Sequence, residues 1–100
     1  MSDRFAILDA ARAAVTRREQ TYGAPEDNFA RIAAFWTIFK GVPFTPGEVA
    51  LMLGLVKYAR AANEPSHADN YVDIAGYAAC AGELEAQLAA AMDEIAEATA

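Results

Sequence analysis

The side chains able to do chemistry gather around one junction of the chain. Asp69 and Asp73 lie four residues apart, so a helix sets both carboxylates on one face. Magnesium takes oxygen ligands and is commonly held by one or two carboxylates together with substrate phosphates, which makes this pair the candidate metal site. Tyr77 continues the row, and His67 and Asn70 flank its start. Upstream, Lys57 and Arg60 are three apart and share a helical strip. They can reach phosphate oxygens, or they can neutralise the aspartates. Asn28 and Arg31, just after Glu26 and Asp27, can point into the same polar site. The candidate ligand-binding set is therefore Asn28, Arg31, Lys57, Arg60, His67, Asn70 and Tyr77.

Each of these residues also has a plainer role. Asp69 near a helix start suits a cap or the helix dipole, and Glu26 and Asp27 do the same for an earlier helix. Asp73 can simply pair with Lys57 or Arg60. His67 sits in a Pro- and Ser-containing loop, where packing or capping is its ordinary use. Cys80 lies in an apolar stretch without a histidine placed to activate it, and reads as a small buried side chain. Trp36 falls in an apolar helical stripe and reads as core. The chain has no glycine-rich phosphate loop, no nucleophile elbow and no zinc-binding helix pair.

Those residues must be positioned by helices. Of 100 residues, 55% are apolar, yet 25 are alanine. This composition favours closely spaced helices over a deep cavity. The length fits a single domain covering residues 1–100. Net charge is −6, which argues against general nucleic-acid binding. All eight Lys and Arg lie in residues 1–60, and residues 61–100 carry only acids. A single cysteine excludes an internal disulfide. No apolar run approaches the ~18 residues of a membrane span, and the first residues lack a signal-peptide core. A cytoplasmic domain is the expectation.

The pattern predicts an all-α, four-helix bundle with a long C-terminal helix. A first helix from about Ser2 to Gln20, with Ser2 as cap, presents Phe5, Leu8, Ala11 and Val15 on one face. Gly23 and Pro25 break it. A second helix from Pro25 to Lys40 carries Phe29, Ile32, Ala33, Trp36 and Phe39, widened by Phe35 and Ile38, and that width predicts burial on two sides. Thr45-Pro46-Gly47-Glu48 reads as a capping box. The third helix then runs to about Ala62, with Val49, Met52, Leu53 and Val56 as its core face. The fourth starts near Ser66 or Asp69 and continues to about Ala98. Its Ile74, Tyr77, Ala81, Leu84, Leu88, Ala91 and Ile95 form a heptad-like seam. At ~1.5 Å per residue that rod outruns a domain of this size. Residues 82–100 are therefore expected to overhang and to make a homo-oligomer, a dimer or a tetramer.

The string Arg18-x3-Tyr22-Gly23-x4-Asn28-Phe29-x2-Ile32-Ala33-x2-Trp36, followed by Met52, Lys57, Arg60 and His67-x-Asp69-Asn70-x2-Asp73-Ile74-x-Gly76-Tyr77, resembles a group of small phage and prophage proteins of unknown function. The resemblance covers residues 17–80. The same region is more distantly similar to MazG-like all-α nucleotide pyrophosphohydrolases, in which two acidic motifs hold Mg²⁺. The second motif maps onto Asn70-x2-Asp73 or Asp69-x3-Asp73, whereas the first, Glu-x2-Glu, is absent. The resemblance implies a phosphorylated nucleotide ligand, with or without hydrolysis, and a host-cytoplasmic location if the protein is phage-encoded. It is also compatible with a sponge that sequesters cyclic or modified nucleotide signals of host defence. The third reading is an interaction module without a small-molecule site.

Overall fold

The structure, a computed structural model, describes residues 3–100. Four helices account for nearly all of them: α1 (Arg4–Tyr22), α2 (Pro25–Lys40), α3 (Pro46–Asn63) and α4 (Ala68–Thr99). The all-α four-helix architecture with a long last helix is as the periodicity predicts.

Local chemistry explains most of the helix ends. Asp3 caps α1, its carboxylate accepting from the Ala6 amide at 2.8 Å. Ser2, the cap expected from sequence, lies outside the described residues. Gly23 at φ 85° ends α1 in a conformation that side chains rarely adopt, and Pro25 starts α2 two residues later. Gly41 at φ 72° ends α2. The capping box of α3 forms in full: the Glu48 amide donates to Thr45 Oγ1 at 3.1 Å, and the Thr45 amide donates to Glu48 Oε1 at 2.8 Å. Glu85 reaches back from α4, where its Oε1 accepts from Thr45 Oγ1 at 3.0 Å. Its carboxylate lies over Gly47, in space that a side chain at that position would fill.

The α3–α4 contact is the most extensive in the molecule, with α1 laid on α4 and α2 on α3. The core is small: Phe29, Ala33, Val49, Ala50, Ala81 and Leu84, with Ile32, Trp36, Phe44, Leu53, Tyr77 and Cys80 packed around it. Trp36 meets Phe44 edge-on at 5.7 Å, as a core residue should.

Several expected core positions face outward. On α2, Phe35 and Ile38 are 67% and 80% exposed, so that helix is buried on one side only. On α3, Met52 and Val56 are exposed, and the face turned inward is Val49, Ala50, Leu53, Gly54 and Ala61. Phe5 and Leu8 of α1 are exposed too. The physical reason is that α3 is apolar nearly all round, so periodicity alone cannot say which side meets α4. The seam of α4 is used only in part. Ala81 and Leu84 are buried, whereas Leu88 and Ile95 are exposed. The chain measures 53 × 29 × 24 Å with a radius of gyration of 15.5 Å, against ~13 Å for a compact domain of this length. Among the described residues no helix is long and apolar enough to cross a membrane.

Candidate functional site

The turn at Gly23 folds α2 back from α1; α1 packs on α4, and α2 reaches the first half of α4 through Phe29 on Tyr77. Between them lies a cleft lined by Arg18 and Tyr22 of α1, Asn28 and Phe29 of α2, and Asp73 and Tyr77 of α4, with Cys80 beside them. Its enclosed part is about 50 Å³. That seats one small group, with the rest of any larger ligand lying over the rim.

The walls are well defined. Tyr77 packs edge-on against Phe29 at 6.2 Å. The Arg18 guanidinium lies 5.6 Å from the centre of the Tyr77 ring, a cation–π distance. Arg18 has no ion partner among the described residues, so its charge is available to an anion. Asn28 is half-buried and makes no side-chain hydrogen bond among the described residues. Asp73 is held from α3, its Oδ2 lying 3.0 Å from Lys57 Nζ. Burial and the charges of Glu83 and Glu19 push the Cys80 thiol above its ordinary value, against a lowering influence from Arg18.

The candidate residues do not converge on one site. Asn28, Asp73 and Tyr77 line the cleft, with Lys57 behind Asp73. Arg60, His67 and Asn70 instead line a shallow groove at the α3–α4 junction, together with Asn63 and Glu64. Asp69 is 85% exposed and sits 3.9 Å from His67 Nε2. Arg31 is exposed on α2 and lines neither depression. The expected common pocket of Lys57, Arg60, Asp69 and Asp73 is thus divided. Position along the axis is the reason: both share one row of α4, but Asp73 lies where α3 supplies Lys57, whereas Asp69 lies a turn earlier, in the first turn of the helix and in solvent beside His67.

The carboxylates also fit a resident Mg²⁺ poorly. Only two are in question, and Lys57 already engages one of them. Among the described residues no group of three or more His, Cys, Asp or Glu side chains is placed to hold a metal ion. From sequence, Cys80 reads as a small buried side chain, and Arg18 and Tyr22 have no place in the site. The signal that finds Arg18 and Tyr22 is the phage-like string itself. Arg18, Tyr22, Gly23, Asn28, Phe29, Asp73, Gly76 and Tyr77 belong to it, and all line this cleft.

Comparison with known proteins agrees with that string. A family described as "Domain of unknown function (DUF6378)" matches residues 6–85, and the chain belongs to it. The Gene 55 protein of Mycobacterium phage L5 is 49% identical over 63 residues, which is 62% of this chain and 40% of that protein. The Gene 55 protein of Mycobacterium phage D29 is 33% identical over 74 residues, 74% of this chain and 49% of that protein. The chain therefore spans about half or less of the length of these relatives. No solved structure matches it.

Proposed function

We propose that this family member is a small helical phage-type protein that binds a phosphorylated, nucleotide-type ligand in the α1–α2–α4 cleft. The observation that carries the reading is convergence. Arg18, Tyr22, Asn28, Asp73 and Tyr77 come from three helices and meet around one depression. Arg18, without an ion partner among the described residues, supplies a guanidinium suited to phosphate oxygens. Tyr22 and Tyr77 supply aromatic surface for a ring, and Asn28 supplies an amide that can both donate and accept. The enclosed volume seats one moiety, and Tyr22, 63% exposed, extends the aromatic surface onto the rim.

The chemistry favours binding over hydrolysis. Phosphoryl transfer aided by a metal requires ligands that hold the ion through the transition state, and Asp73 is committed to Lys57. This supports capture of a nucleotide signal in the host cytoplasm more than a MazG-like pyrophosphohydrolase.

The test is calorimetry of the full chain against nucleoside mono-, di- and triphosphates and cyclic dinucleotides, with phosphate and pyrophosphate release followed in parallel. Saturable binding without release is the expected result. Turnover that disappears in Asp73→Asn would establish the enzyme instead. Silence across the whole panel would remove the nucleotide reading.

A further inference from the structure

The groove at the α3–α4 junction is not used by the nucleotide reading, yet its floor holds the one buried polar side chain among the described residues. Asn70 is 6% exposed. Its carboxamide makes no side-chain hydrogen bond among the described residues. A carboxamide offers two donors and an acceptor, and leaving them unpaired in an interior costs stability. Among the described residues no fully buried side-chain N or O lacks a partner. The Asn70 amide is therefore not sealed in, and the depression it lines is this groove.

The surroundings of Asn70 are dipolar. Arg60 and Glu64 both line the groove, and neither is in an ion pair among the described residues. The two helix ends that meet here are of opposite sign as well. Helix α3 ends at Asn63 with Glu64 as its C-cap, a pole that favours cations. Helix α4 begins at Ala68 with His67 as its N-cap, a pole that favours anions. His67 gives that pole no side-chain hydrogen bond, and Asp69 of the first turn stands in solvent beside it. The loop between the poles is pinned, because the Tyr71 hydroxyl donates to the Pro65 carbonyl at 2.7 Å.

We propose that this groove binds a free α-amino acid, or a small zwitterion of the same kind, as a site separate from the cleft. The carboxylate is taken by the Arg60 guanidinium and the Asn70 amide beside the start of α4. The ammonium is taken by Glu64 at the carbonyl end of α3. Val56 and Ala59 line the groove too and give an aliphatic side chain an apolar wall. A phosphate fits less well, because it gains Arg60 and is repelled by Glu64. A lone carboxylate or a lone amine leaves one of the two charges without a partner.

Titration of the isotope-labelled full chain, followed by NMR, tests the assignment. The probes are L-valine, isovalerate, isobutylamine and inorganic phosphate. L-valine should shift the Asn63 and Asn70 side-chain amide signals saturably in the millimolar range and leave those of Arg18 and Tyr77 in place. Isovalerate lacks the ammonium and isobutylamine lacks the carboxylate, so each should bind about tenfold more weakly. Glu64→Gln should abolish the preference for L-valine over isovalerate, and Arg60→Gln the preference over isobutylamine. Both side chains are exposed, so circular dichroism should show unchanged helicity. Isovalerate or phosphate binding as tightly as L-valine would overturn the proposal in favour of a simple anion site. No shift of the Asn63 and Asn70 amides with any probe would overturn the site itself.

Discussion

Lys57 on α3 holds Asp73 on α4 at 3.0 Å, and this contact decides what the neighbouring cleft can do. Both side chains are mostly buried, at 19% and 30% exposure. The carboxylate that sequence assigned to a metal is therefore already neutralised by a cation of the same chain. The remaining charges of the cleft are Arg18, a cation without an ion partner among the described residues, and the carboxylate of Glu19, which lines it too.

Asp73→Asn separates the two roles open to this aspartate. A neutralised partner predicts that its loss frees the charge of Lys57 and tightens binding of an anionic nucleotide several-fold. A metal ligand predicts the reverse. Stability should fall by about 1 kcal/mol in Asp73→Asn or Lys57→Met alone. The double variant should lose less than the sum, the difference reporting the pair. Urea denaturation checks this.

Arg18→Gln is expected to weaken nucleotide binding at least tenfold, or about 1.4 kcal/mol. Its guanidinium is exposed apart from the Tyr77 face, so the thermal midpoint should move by no more than a degree or two. Unchanged affinity in calorimetry would place the anion elsewhere.

Nucleotide affinity should be the same in millimolar Mg²⁺ and in EDTA. The ion would have to displace Lys57 from Asp73 to find a second carboxylate. A tenfold dependence on Mg²⁺ that is lost in Asp73→Asn would restore Asp73 as a ligand.

Cys80 gives a native reporter. Its folded thiol titrates above the ordinary value of 9.0, so the thiolate is scarce at neutral pH and alkylation by iodoacetamide should be slow. The rate should climb with pH and still be climbing at pH 9, where an ordinary thiol is already half ionised, and unfolding should accelerate it at pH 8. Because the folded thiol holds its proton more tightly, the associated stability is complete below the unfolded pKa and is lost as pH rises through the folded one. A ligand seated in the cleft should slow the labelling further, since Cys80 lines it.

Glu85→Ala should cost about 1 kcal/mol by removing the bond to Thr45 Oγ1 and the negative charge at the start of α3. Gly47→Ala should lose a similar amount, because its methyl group displaces the same carboxylate. Thermal melts of the two single variants and their combination should show that the effects do not add.

Sequence alone determined the helices, because their ends are local. Gly23, Pro25, Gly41 and the Thr45–Glu48 box act within one turn of the chain, and alanine with 3.6-residue periodicity fills the rest. It also offered the Lys57–Asp73 pairing as one of two alternatives. What it left open was how each helix is rotated about its own axis. Met52 and Val56 were as good a core face for α3 as Leu53 and Ala50. Rotation is set by contacts between residues far apart in the chain, such as Phe29 on Tyr77 and Thr45 on Glu85. Only the packed structure could therefore gather Arg18, Asn28 and Tyr77 around one cleft, send Arg60 and Asn70 to another, and leave an apolar face of α3 in water.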